Sequence, residues 1–273
     1  MIRLLDAGLK RIFKSRIFWI ILFIVIGIAV MMIYNSYSDL KEFDEVVKIE
    51  TLFFNLTTVM GFIVAIFVSL FLGTEYSDGT IRNKIIMGHK RIKIYLSNLI
   101  LTVFATVLFY IMYLIVISII GIPIFGGITM SISNLLLIFF DIFVLICAYS
   151  SIATFISMIC SNIAIATIVN IVLILAMVMV SISSMNILSS PKTVVQSTMV
   201  DGAIQMVEVP NPRFPTENER NFHQQVVNVL PTGQSFQIAG QTADPKILSL
   251  YSGGVTIIFM GIGLYLFQRK ELK

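Results

Sequence analysis

Six long stretches of the chain carry almost no charge, and short segments rich in charged or turn-forming residues separate them. Three of these stretches, 17–34, 51–72 and about 248–267, are bounded on both sides by ionisable residues. A bilayer core about 30 Å thick is crossed by about 20 apolar residues in a helix, so each stretch is long enough to span a membrane.

The other three stretches lie in one apolar run from Ile94 to Pro191, in which the only charged residue is Asp141. Turn-forming residues interrupt this run twice, at 121–127 and at 161–162. The run therefore divides into predicted spans at about 95–120, 132–160 and 163–185, which makes six transmembrane helices in total.

The segment ahead of the first span predicts an amphipathic helix. Its apolar residues recur at three- and four-residue steps and its polar residues fall on the other side, with Asp6 and Lys10 at pairing distance. We expect an interfacial elbow helix, which either anchors the chain to anionic lipid or presses on a cytoplasmic partner. No small-residue cleavage site follows the first span, so we expect that span to stay as an anchor.

Composition places the chain among integral membrane proteins. Of its 273 residues, 57% are hydrophobic and 12% are charged, which is too apolar for a soluble domain of this size. The predicted fold class is an all-α membrane protein. Its predicted parts are an elbow helix at 1–16, spans one to five at 17–185 with a loop at 73–93, an extracellular insertion at 186–247, span six at 248–268 and a tail at 269–273.

The insertion between spans five and six holds six of the seven prolines and has little apolar periodicity outside 216–230. Thr216 and Glu219 fit a capping box, and the helix that follows should end at Pro231. This helix either gates or receives a substrate, or it covers the ends of spans five and six. Its predicted apolar face consists of Phe222, Val226, Val229 and Leu230.

The distribution of charge predicts the orientation. Segments 1–16, 73–93 and 269–273 hold thirteen of the nineteen lysines and arginines but only four of the fifteen acids. Because basic residues favour the cytoplasmic side, both termini should be cytoplasmic in a multi-pass protein of the cell membrane. The basic balance therefore reflects orientation and not nucleic-acid binding. For the short acidic segment at 39–50 we predict a helical extension and no chemistry.

The sequence argues against an enzyme. It has no H-E-x-x-H or G-x-S-x-G motif, and both histidines, His89 and His223, lie outside the predicted spans. Cys147 and Cys160 are thirteen residues apart in one predicted span, about 20 Å along a helix, and cannot bridge. We expect no metal and no bound cofactor. Asp141, the candidate intramembrane polar site, could line a polar pathway, bind a cationic group or accept a hydrogen bond from a neighbouring span.

The loop at 73–93 concentrates glycine and charge between two apolar stretches. Gly79 can start and Gly88 can stop a helix of about two turns. Glu75, at the membrane boundary, could pair with Arg82 or with a basic residue of the elbow. The segment is either a knob that seats in a partner or an ordinary basic loop.

The run from Gly73 to Lys84, followed by Gly88, Arg91 and the triplet 95–97, resembles the signature of type-2 ATP-binding-cassette (ABC) exporter permeases. The elbow, the six spans and the long loop before span six resemble that family's plan. The residues that the resemblance assigns to coupling with an ATPase subunit are Glu75, Tyr76, Asp78, Gly79, Thr80, Ile81, Arg82, Asn83, Lys84, Ile85, Gly88 and Arg91.

The resemblance implies a half-transporter that exports an amphipathic peptide, drug or lipid. It further implies pairing with a second permease, identical or related, and with two cytosolic ATP-binding subunits that carry ATP and Mg. The chain itself lacks the phosphate-binding G-x-x-x-x-G-K-[ST] motif. An ion-coupled carrier and a non-transporting sensor or immunity scaffold are the alternatives.

Overall fold

A computed structural model describes residues 1–43, 47–160, 162–200, 203–242 and 244–270. Over these residues the protein is a helical bundle with one small β-hairpin. The helices are α1 (Ile2–Lys14), α2 (Arg16–Phe43), α3 (Ile49–Asn55), α4 (Thr57–Ser77), α5 (Thr80–Ile86), α6 (Arg91–Val116), α7 (Ile122–Phe125), α8 (Ile132–Ile159), α9 (Ile163–Leu188), α10 (Glu217–Val229), α11 (Pro231–Ala239) and α12 (Pro245–Arg269). A π-helical segment, Ile117–Gly121, joins α6 to α7, and the strands are β1 (Thr193–Val200) and β2 (Ala203–Pro210).

Six helical segments in the described part of the chain are long and apolar enough to cross a membrane, which confirms the prediction of an all-α membrane protein with six spans. They are Arg16–Glu42, Ile49–Ser77, Arg91–Phe125, Ile132–Ile159, Ile163–Leu188 and Ile247–Arg269. The first extends well beyond the predicted end at 34, because the polar residues that follow continue the helix past its apolar part. The predicted helical extension at 39–50 is observed as far as Phe43, and residues 44–46 lie outside the described part.

The bundle has two ends, which we name by their contents. The elbow end carries α1, the α4–α5–α6 connection and the last residues of α12. The far end carries α3, the start of α8, the hairpin, α10 and α11. Between them α4 packs against α8 and α9, α8 packs along α12, and α6 packs against α2.

The insertion contains a β-hairpin that the sequence analysis missed. The strands pair antiparallel from Thr193 with Pro210 to Val200 with Ala203, so that only residues 201–202 separate them. The described part of the hairpin presents apolar side chains to the surroundings, Val195 and Met206 among them.

The predicted external helix is α10, and its capping box between Thr216 and Glu219 is confirmed. Of the predicted apolar face, Phe222 and Val229 are exposed, whereas Val226 and Leu230 are half-buried. The side turned to the bundle is mixed, because Val227 is buried there and His223 Nδ1 lies 3.1 Å from Ser184 Oγ of α9. α10 packs against α9 and α12, as expected of a helix that covers spans five and six.

α10 ends before Pro231, as predicted, and Pro231 begins α11, a short helix that enters the bundle. Thr232, Gln234, Ser235 and Gln237 are all buried. Their hydrogen bonds reach the surrounding spans. These bonds join Thr232 to Ser181 of α9 (2.7 Å), Ser235 to Tyr149 of α8 (2.8 Å), the Ser235 carbonyl to Thr57 of α4 (3.0 Å) and Gln234 to Ser252 of α12.

Glu50 holds the connection between α7 and α8. It is buried in α3, and its carboxylate accepts hydrogen bonds from the backbone N–H groups of Thr129 and Met130, the latter at 2.6 Å. No chemistry was predicted for the segment at 39–50, and this acid has a structural role there.

Candidate functional site

The predicted loop at 73–93, which we call the connector, lies at the elbow end and runs from the last turns of α4 through α5 to the start of α6. α4 ends at Ser77, and Gly79 turns the chain with φ +66°, a left-handed conformation that glycine adopts without strain. α5 follows over Thr80–Ile86, and Gly88 turns the chain again with φ +84°. The prediction of a short helix between two glycines is therefore confirmed.

Glu75, in the last turn of α4, is the centre of this region. Its side chain is buried, with 1% of the residue exposed. One carboxylate oxygen, Oε1, accepts from both Arg11 Nη1 of α1 and Lys84 Nζ of α5. The other, Oε2, accepts from Asn98 Nδ2 of α6 at 2.7 Å. One buried acid thus bonds to the elbow, the short helix and a span, and we call these four residues the Glu75 cluster.

The two proposed partners of Glu75 have different outcomes. Pairing with a basic residue of the elbow is confirmed, and the residue is Arg11. Pairing with Arg82 is wrong, because Lys84 is the residue of α5 that reaches the acid and Arg82 is exposed. Gly79 starts α5 so that Ile81 turns into the bundle, which leaves position 82 on the outer side.

Arg11 links the elbow to α4 through more than one contact. Its guanidinium lies 3.9 Å from the centre of the Phe71 ring, a cation–π arrangement that adds to the ion pair. Burial lowers the pKa of the Arg11 guanidinium from its usual value, and the charge of Glu75 opposes that shift. The predicted pair of Asp6 and Lys10, at 2.8 Å, lies on the exposed side of α1.

α5 has an inward and an outward side. Ile81 is buried and Ile85 packs against the core, whereas Arg82 and Asn83 are exposed. Ile86 and Met87 extend the outward side with two apolar side chains that are 73% and 69% exposed. This side combines a cation, an amide and apolar surface.

The remaining predicted residues support the connector or cap the bundle. The Thr80 hydroxyl donates to the Glu75 carbonyl at 2.9 Å, and Asp78 is exposed. Arg91 Nη1 donates to main-chain carbonyls at the end of α12, including that of Gln268 at 2.9 Å. These carbonyls have no acceptor role inside the helix, so a cation there is favourable.

A second group of contacts adjoins the first. Lys270 Nζ lies 4.3 Å from the centre of the Tyr76 ring and donates to the Met158 carbonyl at 3.0 Å. The Tyr76 hydroxyl donates to the same carbonyl. Burial lowers the pKa of Lys270 to about 8. This group, which we call the Lys270 latch, joins the ends of α4, α8 and α12.

The structure does not bring Asp141 to the connector. It lies on α8 toward the far end, 2% exposed, where Ser249 of α12 faces its carboxylate. Among the residues that the structure describes, no three of the His, Cys, Asp and Glu side chains form a group that could hold a metal ion.

Three residues of the site were missed by sequence reasoning: Arg11 as a specific partner, Asn98 and Lys270. Asn98 carried a usable signal, because an amide inside an apolar run must find a partner when it is buried. For Lys270 no signal was present, since its contacts come from helices distant in sequence.

No protein-family model matches this chain, and no curated protein matches it in sequence.

Proposed function

We propose that this six-span membrane protein is the permease subunit of an ATP-driven ABC exporter, and that the connector around α5 receives force from a separate ATPase subunit. The observation that carries the proposal is the Glu75 cluster. A single buried carboxylate joins α5 to the elbow and to α6. In this proposal a displacement of α5 is transmitted through Glu75 to α1 and α6.

The outward side of α5 is the proposed contact with the ATPase subunit. Its exposed Ile86 and Met87 can enter an apolar cleft, while Arg82 meets acidic or polar groups around it. Because the chain has no phosphate-binding motif, ATP and Mg belong to the partner in this proposal. The elbow end then faces the cytoplasm, in agreement with its excess of basic residues.

The remaining parts of the proposal follow from the resemblance. A second permease, identical or related, completes the path, and two ATP-binding subunits act on the pair. The cargo is an amphipathic peptide, drug or lipid. In this proposal the bundle has two conformations, one open to each side of the membrane. ATP hydrolysis can shift the balance between them only as far as the ATPase subunit binds one more tightly than the other.

The test is affinity purification of the tagged chain from its own cells, followed by an ATPase assay in lipid. We expect a protein with a P-loop motif in stoichiometric amount and ATP hydrolysis in the reconstituted complex. An ion-coupled carrier or a sensor scaffold would purify without such a subunit, and that result would reject the proposal.

A second test addresses the contact itself. Arg82→Glu reverses an exposed charge on the outward side of α5, and we expect the ATPase subunit to be lost during purification. Arg213→Glu makes the same change on an exposed residue at the far end and should leave the complex intact. Equal recovery of the ATPase with both variants would remove α5 from the interface.

A further inference from the structure

A cleft of 340 Å³ opens at the far end, between the first turns of α8 and the junction of α11 with α12. This volume is at the lower limit of sites that hold small ligands, about 300–1,000 Å³. Its walls are mainly apolar, with Leu137, Ile138 and Ile238 among them. Three polar side chains also line it: Asn134, Gln241 and Asp244.

The backbone at the edge of this cleft is held in an uncommon conformation. Gln241 has φ +54°, in the left-handed region that side chains other than glycine seldom adopt. Its amide donates to Thr51 Oγ1 of α3 at 2.9 Å, which fixes the turn after α11 against the second span.

A second carboxylate lies below the cleft. Asp141 is one helical turn deeper than Leu137 and Ile138, at the seam where α8 packs along α12. Its charge interacts with that of Asp244, and Ser249 faces it from α12. Ser249 hydrogen-bonds to the Asp141 carboxylate, and its hydroxyl also lies 3.0 Å from the Pro245 carbonyl, but Asp141 Oδ2 is buried without a hydrogen-bond partner.

These features define the ligand. A buried, unpartnered carboxylate oxygen in a membrane protein is costly, and a cation relieves that cost. A metal ion is a poor match, because the described residues provide no group of three metal-binding side chains here. Apolar walls with one acid in the lining and a second acid one helical turn deeper instead suit an organic cation with an apolar body.

We propose that this cleft binds the ammonium group of an amphipathic cation, with Asp244 at the mouth and Asp141 below it as the charge partners. Leu137, Ile138 and Ile238 contact the apolar body. The volume admits one ammonium-bearing chain and not a folded peptide. The identification of the occupant as transported cargo rests on the proposed exporter function. The binding of an ammonium group does not depend on that function.

The test uses octylamine and octanol, which have the same chain and differ in charge at neutral pH. The purified chain in neutral detergent carries an environment-sensitive fluorophore at Ile132→Cys, an exposed position at the start of α8, with Cys147 and Cys160 replaced by serine. We expect octylamine to bind at a concentration about tenfold lower than octanol, the ratio expected of one charge-assisted hydrogen bond.

Asp141→Asn and Asp244→Asn should each weaken octylamine binding about tenfold and leave octanol binding unchanged. Glu217→Gln, which removes an exposed acid of α10, is the matched control and should bind as the parent does. Asp244 is exposed, so its variant decides the outcome even if Asp141→Asn does not fold. Equal binding of the two probes, or unchanged binding by the folded asparagine variants, would overturn the proposal.

An ammonium group could also come from a lipid headgroup, and phosphatidylethanolamine added to the detergent distinguishes the two sources. We expect phosphatidylethanolamine not to displace octylamine, since the cleft opens at the end of the bundle. Displacement would support the ammonium site and would identify its ligand as a lipid headgroup. All of these measurements use the permease alone. Failure to find an ATPase partner would reject the exporter function and leave this result standing.

Discussion

At the scale of single residues, the main feature is the number of partners that Glu75 satisfies. Arg11, Lys84 and Asn98 come from three different helices and converge on one buried carboxylate. Removal of one member of a buried ionic group leaves the others desolvated without compensation. Glu75 is thus required to hold α1, α5 and α6 in their relative positions, whether or not it also acts in coupling.

We predict that Glu75→Ala destabilises the protein by about 2–4 kcal/mol, because Arg11 and Lys84 lose their shared acceptor while partly buried. Equilibrium unfolding in mixed detergent micelles measures this change. Asp78→Ala, three residues later and exposed, is the control and should have an effect within about 0.5 kcal/mol. Equal stability of both variants would contradict the Glu75 cluster.

Lys270 predicts a dependence of stability on pH. Burial lowers its pKa to about 8 in the folded protein, from an ordinary value of 10.5. Between these two values the unfolded chain holds the additional proton, so stability should rise as pH increases through this range, and below pH 8 this contribution is constant.

Lys270→Arg keeps the charge throughout this range, and the difference in thermal unfolding midpoint between the parent and this variant isolates the effect. We expect the parent to gain relative to the variant from pH 8 upward. Lys93→Arg, at an exposed position, should show no such divergence. Parallel pH profiles for the parent and Lys270→Arg would argue against the Lys270 latch.

At the scale of elements, α11 is the feature that a span count does not reveal. It is a short polar helix whose buried side chains bond to α8, α9 and α12, and whose backbone bonds to α4. Hydrogen bonds of this kind are worth about 0.6–2 kcal/mol each between helices in a membrane. α11 therefore fixes the far ends of four spans relative to one another.

We predict that Gly233→Ala disrupts this arrangement. A Cβ atom at this position would lie 2.3 Å from the Val227 carbonyl oxygen of α10, a backbone atom that cannot move aside alone. The expected cost is about 1–3 kcal/mol, the range for overpacking. The thermal unfolding midpoint in detergent measures it, and an unchanged midpoint would contradict the close approach of α10 and α11.

Gly261→Ala is the matched control for this substitution. It lies in α12, where an added Cβ meets no atom within 4 Å. Alanine also has the higher helix propensity, so we expect no loss of stability.

At the scale of the whole molecule, the orientation in the membrane is a prediction that impermeant labelling of intact cells can check. In a background with Cys147 and Cys160 replaced by serine, Met206→Cys in the hairpin should react with an external maleimide. Arg82→Cys in α5 should react only after the membrane is made permeable. Both positions are exposed, so accessibility is matched. Labelling of the α5 position in intact cells would reverse the orientation and remove the proposed coupling function.

Some features that the sequence analysis missed had a sequence signal and others had none. The hairpin had a sequence signal, because Asp201-Gly202 between alternating apolar residues is typical of a two-residue β-turn. Gly79 and Gly88 are a case where the signal was used, since each has the positive φ that ends or begins a helix there. By contrast, no sequence signal identified the partner of Glu75 on α5. Arg82 and Lys84 are both basic and close in sequence, and only the rotation of α5 set by Ile81 selects Lys84.

The sequence by itself determined the class of protein, the number of spans, the elbow and the short helix between two glycines. These features depend on local properties: the length of apolar runs, helical periodicity and the backbone freedom of glycine. Tertiary structure decided which charges meet at Glu75, that α11 enters the bundle, that α10 turns Val227 and His223 toward the bundle, and that Asp141 lies one helical turn below a cleft. Each of these depends on how helices far apart in sequence rotate against one another to satisfy buried polar groups, and periodicity along one helix carries no information about its neighbours.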